Sequence, residues 1–419
     1  IITPQIPLVR NQAQDNFRMD DYPTGTNAVV AVISYTGFDM EDAMIISKGS
    51  YDRGFGNGHV YTHTVVDLAK SAPPGSRFGN PPGKGHVAHL DEDGLPQVGS
   101  LITAGMELYR SVDPATGKSK AAFHKSQEPV RVDQVRMLGD GGAKPLQRVG
   151  IKLMYDRRPV IGDKFSSRHG QKGVLSVIWP SENMPFTESG MVPDVIINPN
   201  AFPSRMTIGM LVESMAGKAG ATHGYFPDST PFRFDEKDRA IDHFGEQLRK
   251  AGYNYYGTEM MHSGTSGQLM EAEIFIGVVY YQRLRHMVSD KYQVRATGPV
   301  NNYTRQPVKG RKAGGGVRFG EMERDGLLAH GASFLLRDRL LTCSDITTAD
   351  VCGRCGSMIA PLRQPPSLPT GVKGKAGTER VTCRTCRDGS EVKCVTVPFV
   401  FRYLLAELAA MNIRVTCEI

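Results

Sequence analysis

The chain has 419 residues, 40% hydrophobic and 22% charged, a globular composition with apolar material for more than one core. Its formal net charge of +7 is too modest to name a polyanion partner until the charge is located, and no apolar run is long enough for a transmembrane helix, so no membrane partner is expected. Seven cysteines, four of them in two Cys-x-x-Cys pairs, suit a reducing compartment and a bound metal better than a secreted disulfide framework. No basic-plus-apolar leader opens the chain, which begins Ile1-Ile2-Thr3-Pro4 and is expected to be part of a longer protein.

Residues 27–35 (NAVVAVISY) form a β-branched apolar run that predicts a buried strand ending at a glycine turn, with the acidic pair Glu41-Asp42 just beyond. Residues 71–99 are rich in Pro and Gly and predict long hairpins or an excursion, so 59–150 reads as a separate module. Asp91-Glu92-Asp93-Gly94 within it predicts an exposed hairpin tip, since no further ligand stands at calcium-loop spacing. RVGIKLMYD (148–156) and GVLSVIW (173–179) are strand candidates around the loop GDKFSSRHGQKG (162–173), and the turn-rich NPNAFPSRMTIG (198–209) follows. Helical spacing over 207–219 starts at Thr207 as a cap candidate, and 274–281 (IFIGVVYY) predicts a strand.

From Lys291 to Gly320 there are seven bases and no acid: Lys291, Arg295, Arg305, Lys309, Arg311, Lys312 and Arg318, with Tyr292, Tyr303 and Phe319 among them. This reads as a polyanion-contacting loop, against the competing reading of a solvated basic surface. The end of the chain predicts a helix with Pro398 in its first turn and Val400, Leu404, Leu408 and Met411 on one packing face. The layout is mixed α and β.

Cys352-x-x-Cys355 and Cys383-x-x-Cys386 are two knuckles separated by 27 residues. Each places two thiolates on one cation from a tight turn, and together they close a tetrahedral structural Zn²⁺ site. Gly356 follows the first knuckle, whereas Arg387 follows the second, and Cys394 lies near enough to stand in as a ligand. Cys343 and Cys417 read as small buried hydrophobes.

Glu41-Asp42 offers carboxylates to a divalent cation carrying phosphate oxygens, against the competing reading of a helix N-terminus continued by AMII. The glycines around Lys164, Arg168 and Lys172 allow close approach to a phosphate chain, although no Walker A pattern occurs. Ser166, Ser167 and His169 stand too close in sequence for triad geometry and lack an evident orienting acid, so His169 reads as a packing or hydrogen-bonding residue. Arg205, ahead of a helix start, can hold an anion bidentately or serve in a structural ion pair.

Taken together, GFDMEDAMIISKGS (37–50), GDKFSSRHGQKG (162–173), NPNAFPSRMTIGMLVES (198–214), TGPVNNYTRQPVKGR (297–311), RFGEMERD (318–325) and the Cys pairs stand in the order found in second-largest subunits of DNA-directed RNA polymerase. Residues 213–224, 312–341 and 397–413 most resemble the polymerase I form, with the polymerase II or III equivalent as the alternative. The resemblance implies a mixed α+β, multidomain chain: a hybrid-binding domain (1–58 and 151–318) with a double-psi β-barrel-like core and a switch loop at 291–318. An inserted β-rich wall (59–150), an anchor (319–345) and a zinc-containing clamp module with the final helix (346–419) complete it.

It implies chemistry as well. Glu41 and Asp42 match the acidic pair that approaches the second Mg²⁺, Lys164 and Lys172 the lysines near the RNA 3′ end, and Arg205 the arginine facing the nucleoside triphosphate. Arg295, Arg305, Lys309 and Arg311 would follow the RNA-DNA hybrid backbone. Implied partners are the largest and other polymerase subunits, template DNA, nascent RNA and nucleoside triphosphates, in the nucleus and nucleolus. No Asp-x-Asp-x-Asp cluster occurs, so the permanent catalytic ion is expected on another subunit. The competing function class is a non-catalytic, zinc-containing nucleic-acid-binding scaffold.

Overall fold

Strands built from uninterrupted β-branched and apolar runs have no polar face for water and must be covered on both sides. That is the fate of β1 (Thr26–Val32) and β2 (Ala43–Ser47), whose residues Ala28, Val30, Ala31, Met44, Ile45 and Ile46 are all buried. The AMII run that would suit a helix is thus a strand, because its neighbours supply ladders on both edges. The computed structural model describes residues 1–80, 87–139, 147–364 and 380–419. It divides into two units, Ile1–Lys291 and Tyr292–Ile419.

In the first unit β3 (Gly58–Asp67) leaves the ring described below, and the chain runs through β4 (Arg77–Phe78), β5 (Leu101–Ile102), β6 (Glu107–Val112), β7 (Ser119–Phe123) and β8 (Val130–Met137) before β9 (Arg148–Arg157) returns. β3 and β9 pair over their full length, from Gly58↔Arg157 to Asp67↔Arg148. The strands between form a sheet β3-β9-β8-β5 and a sheet β4-β6-β7. They enclose a core of their own around Val66, Leu68, Ile102, Val130, Val149 and Ile151. The hairpin tip at Asp91–Gly94 is closed by Gly94 donating to the Asp91 carbonyl, with the three acids exposed. The Pro-Gly residues 81–86 lie outside the described residues.

The chain then adds β10 (Lys164–Ser167), β11 (Lys172–Trp179), β12 (Phe186–Thr187), β13 (Val195–Ile197), β14 (Thr258–His262) and β15 (Leu269–Arg283). Pairing runs β1-β13-β2-β11-β10-β15, and β15 also pairs with β1 from Thr26↔Tyr281 to Val32↔Phe275. Six strands therefore form a closed ring. Period-two alternation directs one side chain set inward. A single core cluster accordingly draws on every strand of it: Ala28 and Val30, Met44 and Ile46, Phe165, Leu175, Val195 and Ile197, Val279 and Tyr281.

A helix at Ile208–His223 packs on β15 with residues 213–220 buried without interruption. The expected cap Thr207 occupies the N-cap position, but its hydroxyl makes no cap hydrogen bond.

The second unit opens on the irregular basic segment, continues through helices Glu321–Ala329 and Ser333–Arg337, and ends in β16 (Ile346–Cys352), β17 (Pro361–Gln364), β18 (Arg380–Cys383), β19 (Val392–Pro398) and the helix Phe399–Ala410. β16 pairs with β19 and β17 with β18. In the last helix Pro398 is the N-cap rather than a first-turn residue, and Leu405 is the buried side chain. Leu404 and Met411, expected to face inward, are 46% and 63% exposed. Val400 and Leu408 of the expected face are half-buried, and Phe401 and Leu405 are further side chains covered on this helix.

Candidate active site and metal centre

Three loops meet at the end of the ring where β2 and β11, which run parallel, begin and where β13 ends. The first carries Glu41 and Asp42 into β2. It is tied down by Asp39, fully buried, which accepts hydrogen bonds from the Tyr35 N–H (2.7 Å) and the Ser34 hydroxyl (3.3 Å). The second loop joins β10 to β11 and delivers Gln171 and Lys172; the third follows β13 and delivers Arg205. Glu41, Asp42, Gln171, Lys172 and Arg205 line one cleft there. Val174 donates its N–H to the Asp42 carbonyl (2.9 Å), and a Cβ at Gly173 would stand 3.2 Å from that oxygen, so the first two loops are locked together. Glu41 (φ 52°) and Met206 (φ 54°), beside Arg205, both hold the left-handed backbone that side chains disfavour.

Arg205 Nη2 lies 2.5 and 2.6 Å from the two Asp42 carboxylate oxygens, and Nη1 donates to Gln171 Oε1 (3.2 Å). Glu41 and Asp42 are joined by no third carboxylate, imidazole or thiolate among the described residues, and one of them already bonds Arg205. Two carboxylates, one of them engaged by Arg205, leave the other positions of an octahedral ion to water, phosphate oxygens or further ligands.

Lys164 does not line that cleft. The Ser166↔Lys172 and Lys164↔Val174 pairings put it on the same face of the β10–β11 hairpin as Lys172, two residues or roughly 7 Å further along the strand. Its surroundings are basic: the Lys291 charge first, then desolvation, then the charges of Arg285 and Lys164, hold the His286 imidazole below its usual range. Sequence reading passed over Arg285 and His286 because counting began at Lys291.

His169 does have an acid. Its Nε2 hydrogen-bonds Glu213, which also pairs with Arg168 and accepts from the Tyr280 N–H (3.3 Å). Glu213 lies 44 residues away in sequence and so escaped a local search. The serines make no triad with it: Ser166 Oγ donates to the Ser167 carbonyl and Ser167 Oγ accepts from the His169 N–H.

In the basic segment, Arg295 donates to the carbonyls of Pro299 (2.9 Å) and Gly314 (2.8 Å), which fold the loop onto itself. Arg305 stacks over Phe399 at 4.2 Å and Arg311 over Tyr292 at 4.6 Å. Both arginines, with Lys309, Lys312 and Arg318, remain exposed, so stacking orients their charge without hiding it.

The four knuckle thiols converge, with all sulfurs within 4.8 Å of one another. The Cys352–Cys386 and Cys355–Cys383 separations are 3.9 and 3.6 Å. Bonds of about 2.3 Å to a tetrahedral centre put sulfurs roughly 3.8 Å apart, so the donor set fits one thiolate-loving cation. Gly356 (φ 67°) closes the first knuckle, and a Cβ there would stand 2.9 Å from the Cys417 carbonyl oxygen. Arg387 (φ 55°) takes the same left-handed conformation at the second knuckle, so the departure in sequence is not one in shape. Cys394 sits on β19 opposite Asp350, exposed and outside the cluster. Cys343 is exposed and Cys417 half-buried, contrary to the reading of both as core residues.

Comparison with known families matches residues 1–313 to RNA polymerase Rpb2, domain 6, and residues 315–419 to RNA polymerase Rpb2, domain 7. The chain belongs to the Rpb2 family. This Rpb2-family chain is 53% identical over its whole length to DNA-directed RNA polymerase I subunit RPA2 of Homo sapiens, and 54% identical over 99% of its length to that of Dictyostelium discoideum. It is 49% identical over 98% of its length to DNA-directed RNA polymerase I subunit RPA135 of Saccharomyces cerevisiae. In each case it spans 37% of the relative's length. Among the described residues no helix is long and apolar enough to cross a membrane.

Proposed function

We propose that this chain is the C-terminal part of the second-largest subunit of RNA polymerase I, acting in the nucleus and nucleolus in synthesis of ribosomal RNA precursor. The observation that carries the proposal is the convergence of Asp42, Lys172 and Arg205 from three separate loops on one end of a closed strand ring. We read that ring as the double-psi barrel of a hybrid-binding domain, 59–150 as the wall, 319–345 as the anchor and 346–419 as the clamp-associated module. The thiolate cluster would hold a structural Zn²⁺.

The chemistry is phosphate positioning. Arg205 presents a planar fork to the triphosphate and Lys172 a point charge, while the Asp42 carboxylate keeps the fork from swinging into solvent. Lys164, with Arg285 and Lys291 near it, would steady RNA close to its growing 3′ end, and the exposed bases from Arg305 to Arg318 would follow the RNA-DNA hybrid without reading its sequence. Mg²⁺, when bound, neutralises charge on the reacting phosphates. Glu41 and Asp42 are the carboxylates this chain would offer an ion otherwise held by the largest subunit and the nucleotide.

Asp42→Ala, placed in the assembled enzyme, is expected to slow nucleotide addition on the order of 10²-fold while subunits still copurify. Normal elongation at low Mg²⁺ and nucleotide would refute the assignment. Folding losses in place of rate losses would favour the scaffold reading.

A further inference from the structure

Gln171 is 6% exposed and stands between two groups that tolerate only one orientation of its amide. Arg205 Nη1, a donor with no acceptor capacity, faces Oε1 at 3.2 Å; the Ala201 carbonyl, an acceptor only, faces Nε2 at 3.0 Å. Both partners impose the same assignment of oxygen and nitrogen, which no other residue of this length can reproduce. Ala201 lies in the short 3₁₀ turn Pro199–Ala201, and Arg205 four residues on, so one amide bridges both ends of the loop that presents the guanidinium. Its other neighbour is Lys172, exposed where Gln171 is buried.

Asp42 grips one nitrogen of the Arg205 fork. Without Gln171 the guanidinium could pivot about that contact and lie flat on the carboxylate, turning its fork away from the cleft. With Gln171 the second nitrogen is held as well, and the plane of the fork is set. We infer that Gln171 is a positioning residue for nucleotide binding, acting through Arg205 and linking the loop that carries Arg205 to the hairpin that carries Lys172.

The inference rests on Arg205 meeting the triphosphate, and the experiment separates the two claims. Polymerase reconstituted with Gln171→Leu, close in volume and apolar, is expected to show a KM for nucleoside triphosphate raised on the order of tenfold, with kcat at saturating nucleotide within about threefold of wild type. Gln171→Glu keeps an acceptor toward Arg205 and loses the donor toward Ala201; it is expected to recover most of the nucleotide affinity. Arg205→Ala combined with Gln171→Leu is expected to be no worse than Arg205→Ala alone, because the two residues act in series. If Arg205→Ala raises KM and Gln171→Leu does not, the inference fails and the triphosphate assignment stands. If neither raises it, the triphosphate assignment fails. Equal losses for Gln171→Leu and Gln171→Glu would mean that Gln171 merely tethers Ala201, and would overturn the positioning role.

Discussion

Glu213 shows how a buried charge is kept ionised. Burial pushes its carboxyl up, but the hydrogen bond to His169 and the charge and hydrogen bond of Arg168 outweigh this and leave it below its ordinary value of 4.5. A depressed folded-state value means that the cluster stabilises the fold fully above that pH and loses the contribution as pH falls through the lower folded value. Glu213→Gln leaves Arg168 without its counter-charge, at a cost of about 2–3 kcal/mol near neutral pH, discounted because Arg168 is partly exposed. Urea unfolding of variant and wild type should differ by that amount at pH 7, and the gap should close as pH drops below 4.5. A gap constant across that range would show that shape, not charge, holds the site. Nothing in the local sequence announces this cluster, because its partners come from the β10–β11 loop and from a helix 44 residues on.

Between elements, helix Ile208–His223 approaches β15 closely. A Cβ on Gly217 would fall 2.5 Å from the Val278 carbonyl oxygen, and one on Gly277 2.3 Å from Ser214 Oγ. Glycine at both positions lets backbone meet backbone, which outweighs the roughly 1 kcal/mol that a mid-helix glycine costs. Gly217→Ala or Gly277→Ala should therefore destabilise by about 1–3 kcal/mol and raise amide exchange along the helix; a variant as stable as wild type would show slack in this contact. Helical spacing in the sequence located this helix, yet gave no hint that residues 213–220 are all buried, because the partners that neutralise Glu213 and Lys218 there, namely Arg168, His169 and Glu259, lie far off in the chain. The strands were readable for the opposite reason: β1, β9, β11 and β15 are long or β-branched enough to exclude other readings. AMII is too short to decide, and only its pairing with β11 and β13 makes it a strand. The last helix was found, but of its expected face only Val400 and Leu408 are covered while Leu404 and Met411 are not, because its sequence is apolar on more than one side.

Over the whole molecule, the two units are held together internally by different means. The first has a ring core, a module core and three smaller clusters, whereas the buried apolar residues described in the second are Ala349, Val351, Cys352, Cys383 and Leu405, two of them knuckle thiols. The other three contribute at most about 3 kcal/mol each, too little to order so many residues. Zinc binding by four thiolates in small domains is worth about 10–16 kcal/mol at neutral pH. On magnitude, a cation bound by the four thiolates would be the dominant staple of the second unit. The thiols reinforce the point: burial and neighbouring sulfurs push Cys386 up to about 12, while the Cys355 backbone N–H pulls Cys352 down to about 7, so without a cation the cluster holds protons that a cation must displace. Purified protein should therefore carry one zinc per chain, and chelation or Cys383→Ser should raise amide exchange in β16–β19 by on the order of 10²-fold or more, with the strand ring of the first unit unchanged. Protein free of zinc, with those strands still protected, would show that the knuckles close on hydrogen bonds such as Gly356 to the Cys352 carbonyl (2.8 Å) and Arg387 to the Cys383 carbonyl (2.8 Å) alone.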